Sequence, residues 1–344
     1  MDLKESFSGA KNLLSSAKRI LVSGHLSPDG DSLGSMLALV KFLNDAGYEA
    51  YGVADVNALG KPGFLDGVAD IIPVRRLRGK KKFDLFIALD CSGFERMPPE
   101  VKLAAQHLPI ICIDHHKTNN GTFGDVQIFD PTASSTGEIV WRFAKWNEWK
   151  FSRETAEALW VAIITDTGRF AYDSTSPGTL RAAGDLLKHG VRTAYINDIL
   201  YGTFPRKAIE LKRIAWRSLH IWKNRKVAEV SLTRDDFRSV RGTKADVEDV
   251  IEIPRSVARN EIALFFYQIP DRTKETRCSI RTRGNWDATE IAARFGGGGH
   301  AKAAGCTITA PIAKAKRLMR AAVKDIMKSS CRKTMRINLQ DLKI

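Results

Sequence analysis

The sequence predicts an α/β protein of two domains: an N-terminal, largely parallel sheet flanked by helices, then a smaller C-terminal α/β domain. Three observations lead there. From residue 19 to about 190, short apolar runs alternate with helical patterns, the rhythm of a parallel sheet and its covering helices. Around 191–225 this gives way to basic helical stretches, and from 226 strand-like runs resume. At 344 residues the chain also exceeds what one hydrophobic core usually spans. The expected division is 1–190, a helical connector at 191–225, a second domain at 226–328 and a tail at 329–344.

The first nineteen residues, MDLKESFSGAKNLLSSAKR, lack a long apolar segment. They read as a polar amphipathic helix over 3–17, not as a secretory leader. Candidate strands follow at 19–23, 50–54, 84–89 and 109–113, and candidate helices at 32–46, 99–107, 135–147, 153–165 and 178–189. Ile20, Leu21 and Val22 form a buried strand; Leu33, Met36, Leu37, Val40 and Leu43 then repeat at helical spacing until Gly47. In open parallel sheets, ligands gather at the carboxyl ends of strands.

Those ends carry the chemistry. The turn GHLSPDGDS places His25, Asp29 and Asp31 between a strand and a helix. An imidazole with hard carboxylate oxygens suits a divalent cation such as Mn²⁺. Asp and Ser before a helix are also ordinary caps. Asp90 closes an apolar strand, where an unpaired charge is costly. The next strand delivers Asp114, His115 and His116. Neighbouring side chains diverge in extended chain, so one imidazole can bind a metal while the other faces a substrate or packs. Asp166 ends the apolar helix that starts near Arg153, where it opposes the helix dipole; a nearby cation or solvent compensates such a placement.

In the second domain the runs Val227–Leu232, Ile262–Tyr267, Cys278–Arg281 and Thr307–Thr309 read as strands, and 313–328 as a helix. Before the last strand lie Gly296, Gly297, Gly298, Gly299 and His300. Four consecutive glycines let backbone N–H groups turn toward an anion. They follow a helix and not a strand, so a dinucleotide-binding fingerprint is a poor match.

A formal charge of +15 favours a polyanionic partner, plain solubility being the other reading. The excess concentrates at 206–226 and 314–333. Five cysteines (91, 112, 278, 306, 331) form no CxxC pair and read as free thiols of a cytoplasmic protein. No apolar stretch approaches ~18 residues, so no membrane span is expected.

GHLSPDGDSLGS, ALDCSG, DHH and TDTGRF occur in that order, with GGGGHAKAAG far downstream. This set resembles the DHH phosphoesterase family, in the two-domain branch with a DHH-associated C-terminal domain that includes nanoRNases and 3′-phosphoadenosine-5′-phosphate (pAp) phosphatases. DHH alone is a three-letter match, and the Gly-rich segment is shared with alanyl-tRNA synthetases. The specificity lies in four motifs in order plus that segment, across most of the chain. Leu26-Ser27 departs from the more usual polar pair, and the stretch from Ser329 matches nothing in the pattern.

The resemblance implies two Mn²⁺ ions between the domains, with Mg²⁺ or Co²⁺ as substitutes. His25 and Asp29 would hold the first, Asp31, His115 and Asp166 the second, and Asp90 would bridge them. A water activated by such a pair attacks phosphorus in line. Asp114 would orient a ligating histidine, and His116 would face the scissile phosphate as a hydrogen-bond or proton donor. Arg281 stands where the family places a substrate-binding arginine, a structural arginine on a strand being the alternative. The backbone of Gly297, Gly298 and Gly299, with His300, would line a phosphate and base pocket. The implied substrates are very short oligoribonucleotides (nanoRNA) and pAp. Cyclic di-AMP or its linear product keeps the chemistry with another substrate, and metal-dependent nucleotide binding without catalysis is the reading from another class. The implied partner is short RNA or a nucleotide, and a homodimer is in keeping with the resemblance.

Overall fold

The computed structural model describes residues 3–77, 82–247, 249–268 and 274–340, apart from the side chains of His300 and residues 330–340. The chain divides into two compact units, Met1–Thr203 and Phe204–Ile344.

The first unit opens with α1 (Leu3–Ser16), β1 (Arg19–Ser23), α2 (Gly30–Asp45), β2 (Glu49–Ala54) and β3 (Ile72–Pro73). It continues with β4 (Leu85–Leu89), α3 (Pro99–Ala105), β5 (Ile110–Asp114), β6 (Val126–Phe129), α4 (Thr136–Trp146), α5 (Arg153–Asp166), α6 (Pro177–Leu187) and α7 (Thr193–Asn197). All its strand pairs are parallel, in the order β3-β2-β1-β4-β5-β6. The sheet is buried on both faces. Ile20, Val22, Ile87 and Ile113 face a core shared with α1, α2, α4 and α5, while Leu21, Phe86, Ala88 and Ile110 face one shared with α3. Burial on both sides explains why these strands read as continuous apolar runs instead of alternating ones. Strand order reverses between β1 and β4, the switch point at which a crevice opens beyond the carboxyl ends. Helices α2 and α5 pack closely because position 34 is glycine: a Cβ there would lie 2.3 Å from the Ala158 carbonyl oxygen.

β3 and β6 are strands that the sequence pattern does not mark. β3 is two residues long, and β6 is a four-residue edge strand containing Gln127. Helix α2 begins at Gly30 and not at 32, because Asp29 serves as its cap.

The second unit contains α8 (Arg206–Arg217), β7 (His220–Trp222), β8 (Val227–Leu232), α9 (Arg234–Val240), α10 (Glu252–Arg255), β9 (Ile262–Gln268), β10 (Thr276–Thr282), α11 (Ala288–Ala293), β11 (Gly298–His300), β12 (Ala303–Ile308) and α12 (Ile312–Gln340). Its sheet is mixed, in the order β11-β12-β10-β9-β8-β7, with only β8 and β9 parallel. One face packs on α11 and α12 through Leu264, Phe266, Ile280, Ile291 and Met319. The other packs on α8, α9 and α10 through Leu211, Phe237, Ile253 and Phe265. The stretch expected as a connector is therefore split: α7 belongs to the first unit, and α8 covers the sheet of the second. The stretch expected as a tail or edge strand is helical as far as Gln340, since nothing between Ile312 and Gln340 is Gly or Pro; residues 341–344 lie outside the described residues. No described helix is long and apolar enough to cross a membrane. Cys91, Cys112, Cys278 and Cys306 are buried free thiols.

Candidate metal centre

The crevice at the β1/β4 switch point collects side chains from five elements. His25 follows β1, Asp90 follows β4, Asp114 ends β5 with His115 and His116 next, Asp29 and Asp31 open α2, and Asp166 ends α5. Asp90 turns sharply out of the strand in left-handed backbone, φ 58°, a conformation that aspartate tolerates better than most residues.

Two donor groups share Asp90. In the first, His25 Nε2 lies 3.4 Å from Asp90 Oδ2 and 3.7 Å from Asp29 Oδ2. In the second, His115 Nε2 lies 3.7 Å from Asp90 Oδ1, 3.7 Å from Asp31 Oδ2 and 3.3 Å from Asp166 Oδ2. Each group offers ligand atoms within 4.8 Å of one another: His25, Asp29 and Asp90; and Asp31, His115 and Asp166. Asp90, His115 and His116 form a third such set. The capping and ligand readings of Asp29 both hold, because a carboxylate has two oxygens. Oδ1 accepts from Ser32 N at 3.0 Å while Oδ2 faces His25.

The electrostatics fit a divalent cation. Asp90 and Asp31 are only 2% and 1% exposed. Burial, then the charge of Asp31, pushes the Asp90 carboxyl well above the usual range. Burial and Asp29 likewise raise Asp31, and burial with Asp31 and Asp29 raises Asp166. Burial works against a charged His25, but hydrogen bonds to Asp29 and Asp90 outweigh it and bring the imidazole up to about 10. A surround that holds a proton so tightly on imidazole favours a hard dication in its place. Asp114 behaves differently. Burial pushes its carboxyl up, yet the hydrogen bond and charge of His116 leave it lowered overall. His116 Nδ1 donates to Asp114 Oδ1 at 2.7 Å, and Asn119 Nδ2 donates to Oδ2 at 3.0 Å. Of the two histidines, it is His116 that Asp114 orients. His115 Nδ1 lies 3.3 Å from the Ala133 carbonyl oxygen instead.

Residues 19–163 match the model of the DHH family, N-terminal domain, and residues 238–329 match the DHHA1 domain. A bifunctional oligoribonuclease and PAP phosphatase, NrnA, from Thermus thermophilus is 30% identical over 302 residues, spanning 84% of each chain. The chain belongs to the DHH phosphoesterase family. It is a hydrolase of phosphate esters. Among solved structures, an exopolyphosphatase-related protein from Bacteroides fragilis is similar with a TM-score of 0.84 at 24% identity, covering 94% of this chain and 96% of that one. RecJ from Thermus thermophilus in complex with Mn²⁺ has a TM-score of 0.54 at 15% identity, covering 96% of this chain and 55% of that one. These two likenesses concern the fold.

The centre of this DHH phosphoesterase depends on residues that sequence reasoning passed over. Thr136 and Gly137, at the start of α4, donate backbone N–H to Asp31 at 2.7 and 2.9 Å, and Thr136 Oγ1 donates to Asp90 Oδ1 at 3.0 Å. Ser135 caps α4 by accepting from Glu138 N at 3.1 Å. Glu138, fully buried, accepts from Ser134 Oγ at 2.7 Å, from Thr179 Oγ1 at 2.9 Å and from Arg142. The Ser135–Glu138 spacing is a capping-box signature, but nothing in it points to Asp31, which is distant in sequence.

The residues expected to bind substrate lie in the second unit. Arg281 is half-buried on β10, on the same sheet face as Ser279 and Arg277, where its cross-strand neighbours are Ala263 and Ala303. Its Nη1 donates to the Ile280 carbonyl at 3.1 Å. The glycine run is not an open loop, since Gly298–His300 pairs with β12 as an edge strand. A Cβ at Gly297 would lie 2.3 Å from the Gly305 carbonyl oxygen. One at Gly299, φ 144°, would lie 2.5 Å from that of Ala303. A Cβ at Gly298 would meet nothing within 4 Å. The His300 side chain lies outside what is described.

Proposed function

We propose that this DHH phosphoesterase uses two Mn²⁺ ions to hydrolyse very short oligoribonucleotides and pAp. The observation that carries this reading is the division of Asp90: one carboxylate oxygen faces His25 and the other faces His115. His25, Asp29 and Asp90 would hold one ion, and Asp31, Asp90, His115 and Asp166 the other. When bound, such a pair supplies a water made nucleophilic near neutral pH and offsets the charge on the phosphoryl oxygens. The chain's own residues do the rest. Asp114 fixes the ring of His116 through Nδ1, and His116 would face the scissile phosphate as a hydrogen-bond or proton donor to the departing oxygen. Thr136 and Gly137 hold Asp31 in place. Arg281 and the backbone of Gly298 would take the remainder of the nucleotide.

The Thermus thermophilus relative named for both activities supports this substrate class, as does the charge of +15. A cytoplasmic location, with short RNA or nucleotides as the partner, belongs to the same reading.

The test is an assay of chelator-stripped protein reloaded with Mn²⁺, Mg²⁺ or Co²⁺. The substrates are a 5′-phosphorylated dinucleotide, a longer oligomer, pAp and cyclic di-AMP. The expected result is fastest turnover of the dinucleotide and pAp with Mn²⁺. Saturating Mn²⁺ that supports binding of short RNA without hydrolysis overturns the proposal, and preferred turnover of cyclic di-AMP overturns its substrate.

A further inference from the structure

The segment leaving α5 just after Asp166 is strained. Gly168, Arg169 and Phe170 are all left-handed, with φ of 55°, 62° and 64°. Gly168 is an ordinary helix terminator, and the Arg169 N–H donates to the Ile164 carbonyl at 2.7 Å. The two residues after it are not glycine, and each costs about 1–3 kcal/mol in this conformation. Thr167 holds them there. Its Oγ1 donates to the Ile163 carbonyl at 2.6 Å and accepts from Phe170 N at 3.1 Å. Its carbonyl accepts from Ala171 N and Tyr172 N, both at 3.0 Å.

The result is a fixed guanidinium. Arg169 lies over the Tyr201 ring, 4.8 Å from its centroid. Tyr201 sits in a π-turn, Asp198–Gly202, and Lys61 Nζ ties that region down by donating to the Leu200 and Thr203 carbonyls at 2.7 and 3.2 Å. Arg169 is exposed, and no carboxylate pairs with it among the described residues. A cation–π contact at an exposed site contributes about 0.5–1 kcal/mol, less than the backbone conformation costs. The Phe170 ring offsets its own share, packing against the core and edge-on to Trp160 with centroids 5.8 Å apart, whereas the exposed Arg169 side chain has only the Tyr201 contact to set against its strain.

We propose that Arg169 is a substrate-binding residue that grips a phosphate other than the one being hydrolysed. The inference rests on the proposed function, whose substrates carry more than one phosphate. The metal centre neutralises the scissile group, so a second phosphate needs its own cation. A planar guanidinium already fixed on Tyr201, within one helical turn of Asp166, can take it bidentately at little entropic cost.

The decisive variant is Arg169→Gly, because glycine adopts this backbone freely and the chain keeps its fold. Wild type and variant are compared on pAp and on bis(p-nitrophenyl) phosphate, which has no second phosphate, with pAp binding measured by calorimetry and unfolding by melting. KM and Kd for pAp should rise about ten- to a hundredfold, the range for a charged hydrogen bond. The loss on bis(p-nitrophenyl) phosphate should be about tenfold smaller or less, and Tm should not fall. Unweakened pAp binding by the variant, or no pAp binding by either protein, overturns the inference. So do equal losses on both substrates accompanied by a lower Tm, the signature of a structural role. Wild-type binding of pAp without turnover counts against the proposed function, while the binding comparison still decides on Arg169.

Discussion

At the scale of single residues, the centre is built from carboxylates that each do two things. Asp90 divides its oxygens between two imidazoles, and its left-handed backbone aims them. Asn tolerates the same backbone, so Asp90→Asn should fold while losing about a thousandfold in kcat, the several kcal/mol that a metal ion contributes. Metal content measured by mass spectrometry should fall with it; near-normal turnover with Mn²⁺ would sink the two-ion assignment. Asp31 and Asp166 separate ligation from structure. Asp31 accepts from Thr136 N, Gly137 N and Ser35 Oγ, the last at 3.1 Å, so Asp31→Ala strands buried N–H groups and should cost about 1–3 kcal/mol of stability. Asp166 is 34% exposed at a helix C-terminus and repelled by Asp31. In chelator, Asp166→Asn should therefore melt no lower than wild type while losing activity. Equal destabilisation by the two variants in chemical denaturation would refute the distinction. These candidate ligands were legible because each stands at the end of an apolar strand or at a terminus of an apolar helix, Asp90 after β4, Asp31 in the first turn of α2 and Asp166 at the end of α5. The support from Thr136 and Gly137 was not, because it joins residues about a hundred positions apart through backbone N–H groups, which every residue has.

At the scale of elements, apolar strands and capped helices were readable, and short or glycine-rich ones were not. β3 has two residues and β11 is Gly298-Gly299-His300, neither of which carries a hydrophobic period. The glycines pointed to close approach, but the partner is β12, across an antiparallel pair, as well as any ligand. Their separate duties make a test. Gly299→Ala should destabilise the second unit by about 1–3 kcal/mol through collision with Ala303, whereas Gly298→Ala should change stability by less than about 0.5 kcal/mol. A loss of substrate affinity by the well-folded Gly298→Ala would place its backbone against the ligand. α12 is held to β8 by Glu229, which is fully buried and accepts from Arg320 at 2.9 and 2.6 Å, with Lys316 Nζ at 3.1 Å. Burial pushes the Glu229 carboxyl up, but Arg320 and Lys316 leave it below its ordinary 4.5. A depressed acid stabilises the fold above its unfolded pKa, and that contribution is lost as pH falls through the folded value. Glu229→Gln should cost about 3 kcal/mol at pH 7 and progressively less below pH ~4.5. Melting curves from pH 7 to 3 that stay parallel for wild type and variant would contradict this.

At the scale of the whole molecule, the sheet order places the switch point between β1 and β4, and the centre lies there as the general rule for open α/β sheets requires. The sequence marks the four strands that set this point, β1, β2, β4 and β5, but not which of them pair, because the pairing of β1 with both β2 and β4 is a tertiary contact that no local pattern encodes. Every proposed metal ligand belongs to the first unit, Met1–Thr203, whose two cores are separate from the two of the second. A ligand that binds only the native form stabilises what it touches, by about 2.7 kcal/mol at a hundred times its Kd. Amide hydrogen exchange should therefore slow on adding Mn²⁺ in β4, β5 and the first turns of α2 and α4, where Asp31, Asp90, His115 and Thr136 sit. Exchange in β8, β9 and β10 should change much less, because their protection comes from the Glu229 ion pairs and from apolar packing that Mn²⁺ does not touch. Asp90→Asn should abolish the slowing in the first unit without altering exchange in the second. Uniform protection across both units, or slowing that survives Asp90→Asn, would mean that the cation acts somewhere other than the crevice at the ends of β1 and β4.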